Sequence, residues 1–204
     1  MQILYDLLRE MYYGRQDTGS GDIWGRGEPE PHPSSGLLWI GCTDCRADHS
    51  LIKGLRPERI VAHRNIGNQV KAHDKSLAAV IQYAVEILGL EKIVVCGHDN
   101  CRGLASVLEA LEEPRPKYTP WESWLVDAAN IADFYWGELR QIKDRQARLK
   151  RLAEINVLAQ AEELKRNPYI RDNNNLTIIP CMADTANRRV RSLSGRLIHR
   201  ALQY

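Results

Sequence analysis

GLLWIGC, residues 36–42, is apolar from end to end, and TDCRADH follows it directly at 43–49. A strand with one wet face alternates apolar and polar residues; an uninterrupted apolar run suits a strand buried on both faces of a mainly parallel sheet. Three further runs repeat the pattern: ERIVAHR (58–64), KIVVCG (92–97) and LTIIPC (176–181). Between the second and third lies SLAAVIQYAVEIL, with Leu77, Val80, Ile81, Ala84, Val85 and Leu88 at helical spacing and Gly89 as its stop signal. A helix linking consecutive strands makes a crossover, so the expected fold is α/β, with a central, mainly parallel sheet of four or slightly more strands flanked by helices.

Working outward, the third run leads into a helix from Gly103 to Leu111. The segment from Trp121 to Leu164, which includes RLAEINVLAQAEEL, reads as two or three helices before the last strand. At the other end Ile3, Leu4, Leu7, Leu8 and Met11 share one helical face, and a Gly-, Pro- and Ser-rich stretch from Gly14 to Gly36 separates them from the first strand. The expectation is one domain over 1–204, with a helix and arm (1–35), a core (36–111), a helical segment (112–174), and a last strand with its tail (175–204).

The composition is that of a globular chain, with 44% hydrophobic and 26% charged residues and a formal net charge of +2. No apolar run approaches the roughly 20 residues needed to cross a bilayer. The opening MQILYDLLRE carries acids where a signal peptide would be basic and then apolar, so a cytoplasmic location without membrane contact is expected. Arg188, Arg189, Arg191, Arg196 and Arg200 cluster near the end without interleaved aromatics, which reads as a solvated helix face and not a nucleic-acid surface. Five cysteines are an odd number, which argues for thiols kept reduced for metal binding or catalysis over a disulfide framework.

In parallel sheets ligands collect beyond the carboxyl ends of the strands. Cys42, Asp44 and Arg46 follow the first strand, His63, Arg64 and Asn65 end the second, and His98 and Cys101 follow the third. Two thiolates and an imidazole suit Zn²⁺, so Cys42, His98 and Cys101 are the expected ligands, with a fourth position open. Cys45 could close that shell in a structural site, or it could pack in the core, the reading also given to Cys96 and Cys181. Asp44 and Arg46, two apart, can form a charge-assisted pair beside the metal, and the carboxylate could also ligate it.

GCTDCR followed by GHDNC resembles the β-class carbonic anhydrases, whose hallmark is Cys-x-Asp-x-Arg and then His-x-x-Cys. GLRPERIVAHRNIGN, SLAAVIQYAVEIL and IVVCGH are similar to family segments in order and spacing. The resemblance implies reversible hydration of CO₂ to bicarbonate by hydroxide on zinc, with Cys42, His98 and Cys101 as ligands and Asp44 with Arg46 as the catalytic dyad. It implies an apolar pocket, shared across a dimer interface, that here would involve Ala47, Val61, Ile66, Tyr83 and Gly103. It also implies a homodimer or homotetramer in which an N-terminal helix embraces the neighbour.

The chain departs from the family pattern in places. Arg102 stands where the first of two glycines is usual, and its planar fork suits a carboxylate. Asp48 and His49 add polar groups nearby. Trp39 and Arg64 match two residues of an inhibitory bicarbonate site, but IPCMADT lacks the tyrosine that completes it. These differences leave open a relative acting on COS, CS₂ or a carboxylated metabolite. A zinc-stabilised binding domain, with Cys45 in a closed shell, is the non-catalytic alternative.

Overall fold

A computed structural model describes residues 36–45, 59–113 and 119–193, all within one compact unit spanning Ser34–Tyr204. The stretch expected to form an N-terminal helix and arm, Arg46, Ala47, Asp48, His49, Arg196 and Arg200 lie outside the described residues.

Among the described residues, five strands form one sheet in the order β2-β1-β3-β4-β5. They are β1 (Leu37–Cys42), β2 (Ile60–Asn65), β3 (Lys92–His98), β4 (Thr177–Asp184) and β5 (Arg189–Ser192). The first four are parallel, as the apolar runs predict, and β5 pairs antiparallel with β4. All six residues of β1 are buried, and all of β3 after Lys92. β2 is only half-buried, because it pairs with β1 alone among the described strands; the expectation of burial on both faces is corrected there. A second correction falls in the arginine-rich tail: Arg189 and Arg191 lie on β5, an exposed strand and not a helix face.

The helices are α1 (Lys75–Gln82), α2 (Arg102–Glu112), α3 (Pro120–Trp124), α4 (Val126–Phe134), α5 (Trp136–Leu139) and α6 (Arg145–Leu164). The stretch expected to hold two or three helices thus holds four. Asp74 caps α1 by accepting from the N–H groups of Ser76 and Leu77 at 2.9 and 3.1 Å. A π turn over Tyr83–Ile87 continues α1, and Gly89, at φ +63°, follows it.

The longest of the described helices, α6, packs on β3 and β4 and carries α2 and α4 on its flanks. Its approach is close at Gly97, where a Cβ would sit 2.5 Å from Val157 Cγ2 and 3.0 Å from Met182 Sδ. Leu152, Ile155, Val157 and Leu164 are fully buried, each stabilising the fold by about 1.5–3 kcal/mol through apolar burial. The sheet's register places Cys42 opposite Asn65, and Gly41 opposite Cys96. The carboxyl ends of β1, β2 and β3 therefore share one edge.

Candidate metal centre

Three buried side chains meet at that edge. Cys42 ends β1, His98 ends β3, and Cys101 is the residue on which α2 begins. Their ligand atoms all lie within 4.8 Å of one another. The two sulfurs are 3.8 Å apart. Bonds of roughly 2.3 Å from sulfur to zinc, set at the tetrahedral angle, would put two sulfurs about 3.8 Å apart. His98 is 3% exposed, and its Nε2 has no hydrogen-bond partner. A buried ring nitrogen left unpaired costs free energy unless something binds it. Two soft sulfurs and an orphaned imidazole nitrogen fit zinc, and zinc is the cofactor of this site.

The electrostatics point the same way. A hydrogen bond from the Cys101 thiol, aided by the neighbouring His98 and the Gly67 N–H, holds the Cys42 thiol down at about 4 against the burial that opposes it. Cys101, as the donor in that bond and itself buried, is pushed well above the ordinary thiol range. Of the two sulfurs, Cys42 is the one whose surroundings favour the thiolate. Elsewhere burial acts alone or dominates: it drives Cys96 far up and Cys181 up to about 11, as expected of inert core thiols. Cys45 is also buried, and it lies beside Cys96 as a small core residue outside the three-ligand cluster.

Local hydrogen bonds fix each ligand-bearing segment. The turn after β1 closes through Cys45 N–H to Cys42 O at 3.2 Å, and Thr43 N–H ties it to Asn65 O at 2.9 Å. The Arg64 guanidinium clasps the turn, donating to the carbonyls of Cys42, at 2.9 Å, and Cys45. After β3, Asp99 Oδ1 accepts from the Thr185 N–H at 2.9 Å and from its hydroxyl at 2.8 Å. Asn100, at φ +55°, accepts from Gln146 Nε2 at 3.1 Å. His98 and Cys101 thus sit on a short loop pinned from both sides.

Asp44 is half-buried at the mouth, and its Oδ2 accepts the Arg102 backbone N–H at 2.8 Å. That N–H is one of the orphan donors at the start of the eleven-residue α2, so the helix end holds the carboxylate by hydrogen bond and dipole together. The Arg102 side chain itself is exposed. Gly103 is buried against Ile66, where a Cβ would come within 2.9 Å of Ile66 Cγ2 and 3.7 Å of Cys101 Sγ, so these two candidate pocket residues do meet at the ligand-bearing end of α2. Val61 and Tyr83 are half-buried, the first early in β2 and the second opening the π turn.

Sequence reasoning missed the residues behind the ligands. Gly67 donates its N–H to Cys42 Sγ at 3.2 Å, and a set of buried amides, Gln69, Asn156 and Gln160, surrounds it. The signal was present: Asn156 and Gln160 sit four apart on the stripe of α6 that also carries Leu149, Leu152 and Leu164, where only apolar residues are expected.

Comparison with known proteins agrees with this geometry. A family model described as carbonic anhydrase matches residues 37–190. The carbonic anhydrase of Candida albicans is 36% identical over 148 residues, which cover 72% of this chain and 49% of that protein. The carbonic anhydrase of Emericella nidulans is 33% identical over 141 residues, covering 67% and 58%. The chain thus spans between about half and three-fifths of the length of these curated relatives. Among solved structures, one of the tetrameric β-carbonic anhydrases of Sordaria macrospora superposes with a TM-score of 0.73 at 32% identity, covering 81% of this chain and 83% of that one. The β-carbonic anhydrase CafA of Aspergillus fumigatus gives 0.73 at 27%, covering 99% and 87%.

Proposed function

Because this chain belongs to the β-class carbonic anhydrase family, we propose that it catalyses the reversible hydration of CO₂ to bicarbonate with zinc held by Cys42, His98 and Cys101. The observation that carries this reading is the buried pair of sulfurs 3.8 Å apart beside an imidazole nitrogen with no other partner. When bound, zinc supplies the acidity that makes hydroxide available from water near neutral pH.

The chain's own residues orient that water and admit the substrate. Asp44 has Oδ2 anchored by the Arg102 N–H, so Oδ1 is the atom that takes a hydrogen bond from the reacting water. Arg46 pairs with Asp44 and keeps it from occupying the fourth ligand position. In the same proposal Ala47, Val61, Ile66, Tyr83 and Gly103 belong to an apolar pocket shared across a dimer interface, which receives an apolar, linear substrate. The exposed Arg102 side chain and the placement of Cys45 outside the cluster support CO₂ over a carboxylated metabolite, and an open shell over a closed structural one.

Assembly as a homodimer or homotetramer is part of the same reading, supported by the tetrameric Sordaria macrospora enzymes among the structural relatives. No helix among the described residues is long and apolar enough to cross a membrane, and a cytoplasmic location is proposed with it.

Stopped-flow CO₂ hydration on purified protein loaded with one equivalent of zinc tests the proposal. A pH-dependent rate well above buffer supports it. A rate equal to buffer, with zinc bound and Asp44 intact, overturns it.

A further inference from the structure

A closed circuit of carboxamides lies behind the metal centre. Gln69 and Asn156 are 0% exposed and Gln160 is 3% exposed. Gln69 Nε2 donates to Gly67 O at 2.8 Å and to Asn156 Oδ1 at 2.9 Å. Asn156 Nδ2 donates to Gly67 O at 3.0 Å. Gln160 Nε2 donates to Asn156 Oδ1 at 3.1 Å, and Gln160 Oε1 accepts the Val70 N–H at 2.6 Å. Asn65 closes the loop from the sheet side, accepting the Gln69 N–H at 2.7 Å and donating to Gln69 O at 2.8 Å. Burying amides is costly unless they are paired, and a network satisfied in this way permits one backbone arrangement and penalises others.

The arrangement it permits is the one in which the Gly67 N–H meets Cys42 Sγ at 3.2 Å. Gly67 holds φ +76°, and a Cβ there would come within 2.9 Å of Leu125 Cδ2, so the loop reaches the sulfur through a conformation that favours glycine. Asn156 and Gln69 both donate to the Gly67 carbonyl, fixing the peptide that follows the one bonded to the sulfur. Outer groups that hydrogen-bond a metal's ligands set their orientation and donor strength, and losing one typically lowers metal affinity 10–100-fold.

Resting on the zinc reading of the cluster, we propose that Asn156, Gln69 and Gln160 are positioning residues of the metal centre. They hold the Gly67 N–H on Cys42 Sγ from a helix 89 residues away in sequence, and so set the affinity and electronic character of that sulfur ligand.

The test uses the full chain and two readouts independent of CO₂ turnover. One is zinc affinity by competition with a chromophoric chelator, and the other is the sulfur-to-cobalt charge-transfer band of the Co²⁺-substituted protein. Asn156→Ala is expected to weaken zinc binding 10–100-fold and to shift that band, with circular dichroism confirming a folded chain. Ile155→Val, an adjacent buried change on the same helix outside the network, is expected to lower thermal stability while leaving both readouts at wild-type values. If Asn156→Ala does not fold, Gln160→Met, which keeps the side-chain volume, serves in its place with an expected loss of about tenfold. Folded variants that bind zinc within twofold of wild type, with an unchanged cobalt band, overturn the inference alone. A wild-type protein that takes up neither metal overturns the zinc reading and this inference with it.

Discussion

Arg102 meets Asp44 through its backbone: the Arg102 N–H reaches Asp44 Oδ2 at 2.8 Å while the guanidinium stands in solvent. The hydrogen bond therefore survives any substitution that keeps the N–H. Arg102→Ala is expected to leave kcat/KM for CO₂ hydration within about threefold of wild type. Arg102→Pro isolates the donor, because proline suits the first position of a helix and Cys101, at φ −64° and ψ 116°, already has the extended backbone that a following proline requires. A hydrogen bond to a charged group contributes about 1.5–3 kcal/mol. Arg102→Pro should thus keep the melting temperature and the zinc while lowering kcat/KM by about ten- to a hundredfold, read by stopped flow.

Metal content separates the roles of the clustered residues. Cys42→Ser is expected to lose zinc, since it removes one of three ligands. Cys45→Ser should keep zinc at one equivalent, because Cys45 is buried beside Cys96 and is no member of the ligand cluster. Asp44→Asn should also keep zinc, yet lose at least about a hundredfold in CO₂ hydration, the scale of a proton-handling group. Elemental analysis of the purified proteins, beside the hydration assay, checks all three.

Gly67→Ala places a Cβ on a backbone at φ +76° and 2.9 Å from Leu125 Cδ2. The strained conformation costs about 1–3 kcal/mol. Urea denaturation should show a lower midpoint with an unchanged slope, and the loss should be larger in the zinc-loaded protein than in the zinc-free one, since the Gly67 N–H is withdrawn from the ligand sulfur.

His63 gives the fold a pH dependence of its own. Burial lowers its pKa from the ordinary value, opposed by Asp74, whose Oδ2 is 4.0 Å from His63 Nε2. A base whose folded pKa is depressed binds fewer protons folded than unfolded. Its contribution to stability is therefore fully present above the unfolded value of about 6.5 and is lost as the pH falls below it towards the folded value. His63→Gln is expected to flatten the decline in unfolding free energy between about pH 6.5 and 5 relative to wild type. All other titrating groups are common to the two proteins, so at matched zinc loading the difference between the two curves reports His63.

Several features were legible because one local pattern specified them. β1 and β3 read as buried strands since their flanks are covered on both faces, and Cys42, His98 and Cys101 stood out as soft ligands at the ends of such strands. β5 was not legible: four residues, RVRS, with one half-buried valine between exposed arginines, carry too little apolar signal to distinguish an edge strand from a solvated helix face. The amide network was hidden for a different reason. Asn156 and Gln160 occupy positions where polarity has no meaning until their partners, 87 to 91 residues earlier, are in place. Gly103 and Ile66 illustrate an intermediate case, in which the family resemblance named both residues but only packing shows that one makes room for the other.

The parallel pairing of β1 with β3 also sets a timetable for synthesis. Cys42 is made 59 residues before Cys101. At roughly 5–20 residues per second a ribosome takes about 3–12 s to cover that distance. During that interval β2 is made beside the first ligand, but His98 emerges only just before Cys101, so the three-ligand cluster stays incomplete, and the helix that braces Gly67 is later still. The nascent chain thus has no site with which to compete for scarce zinc. Loading at this site waits until Cys42 is brought together with His98 and Cys101, so metal uptake reports that the distant strands have joined.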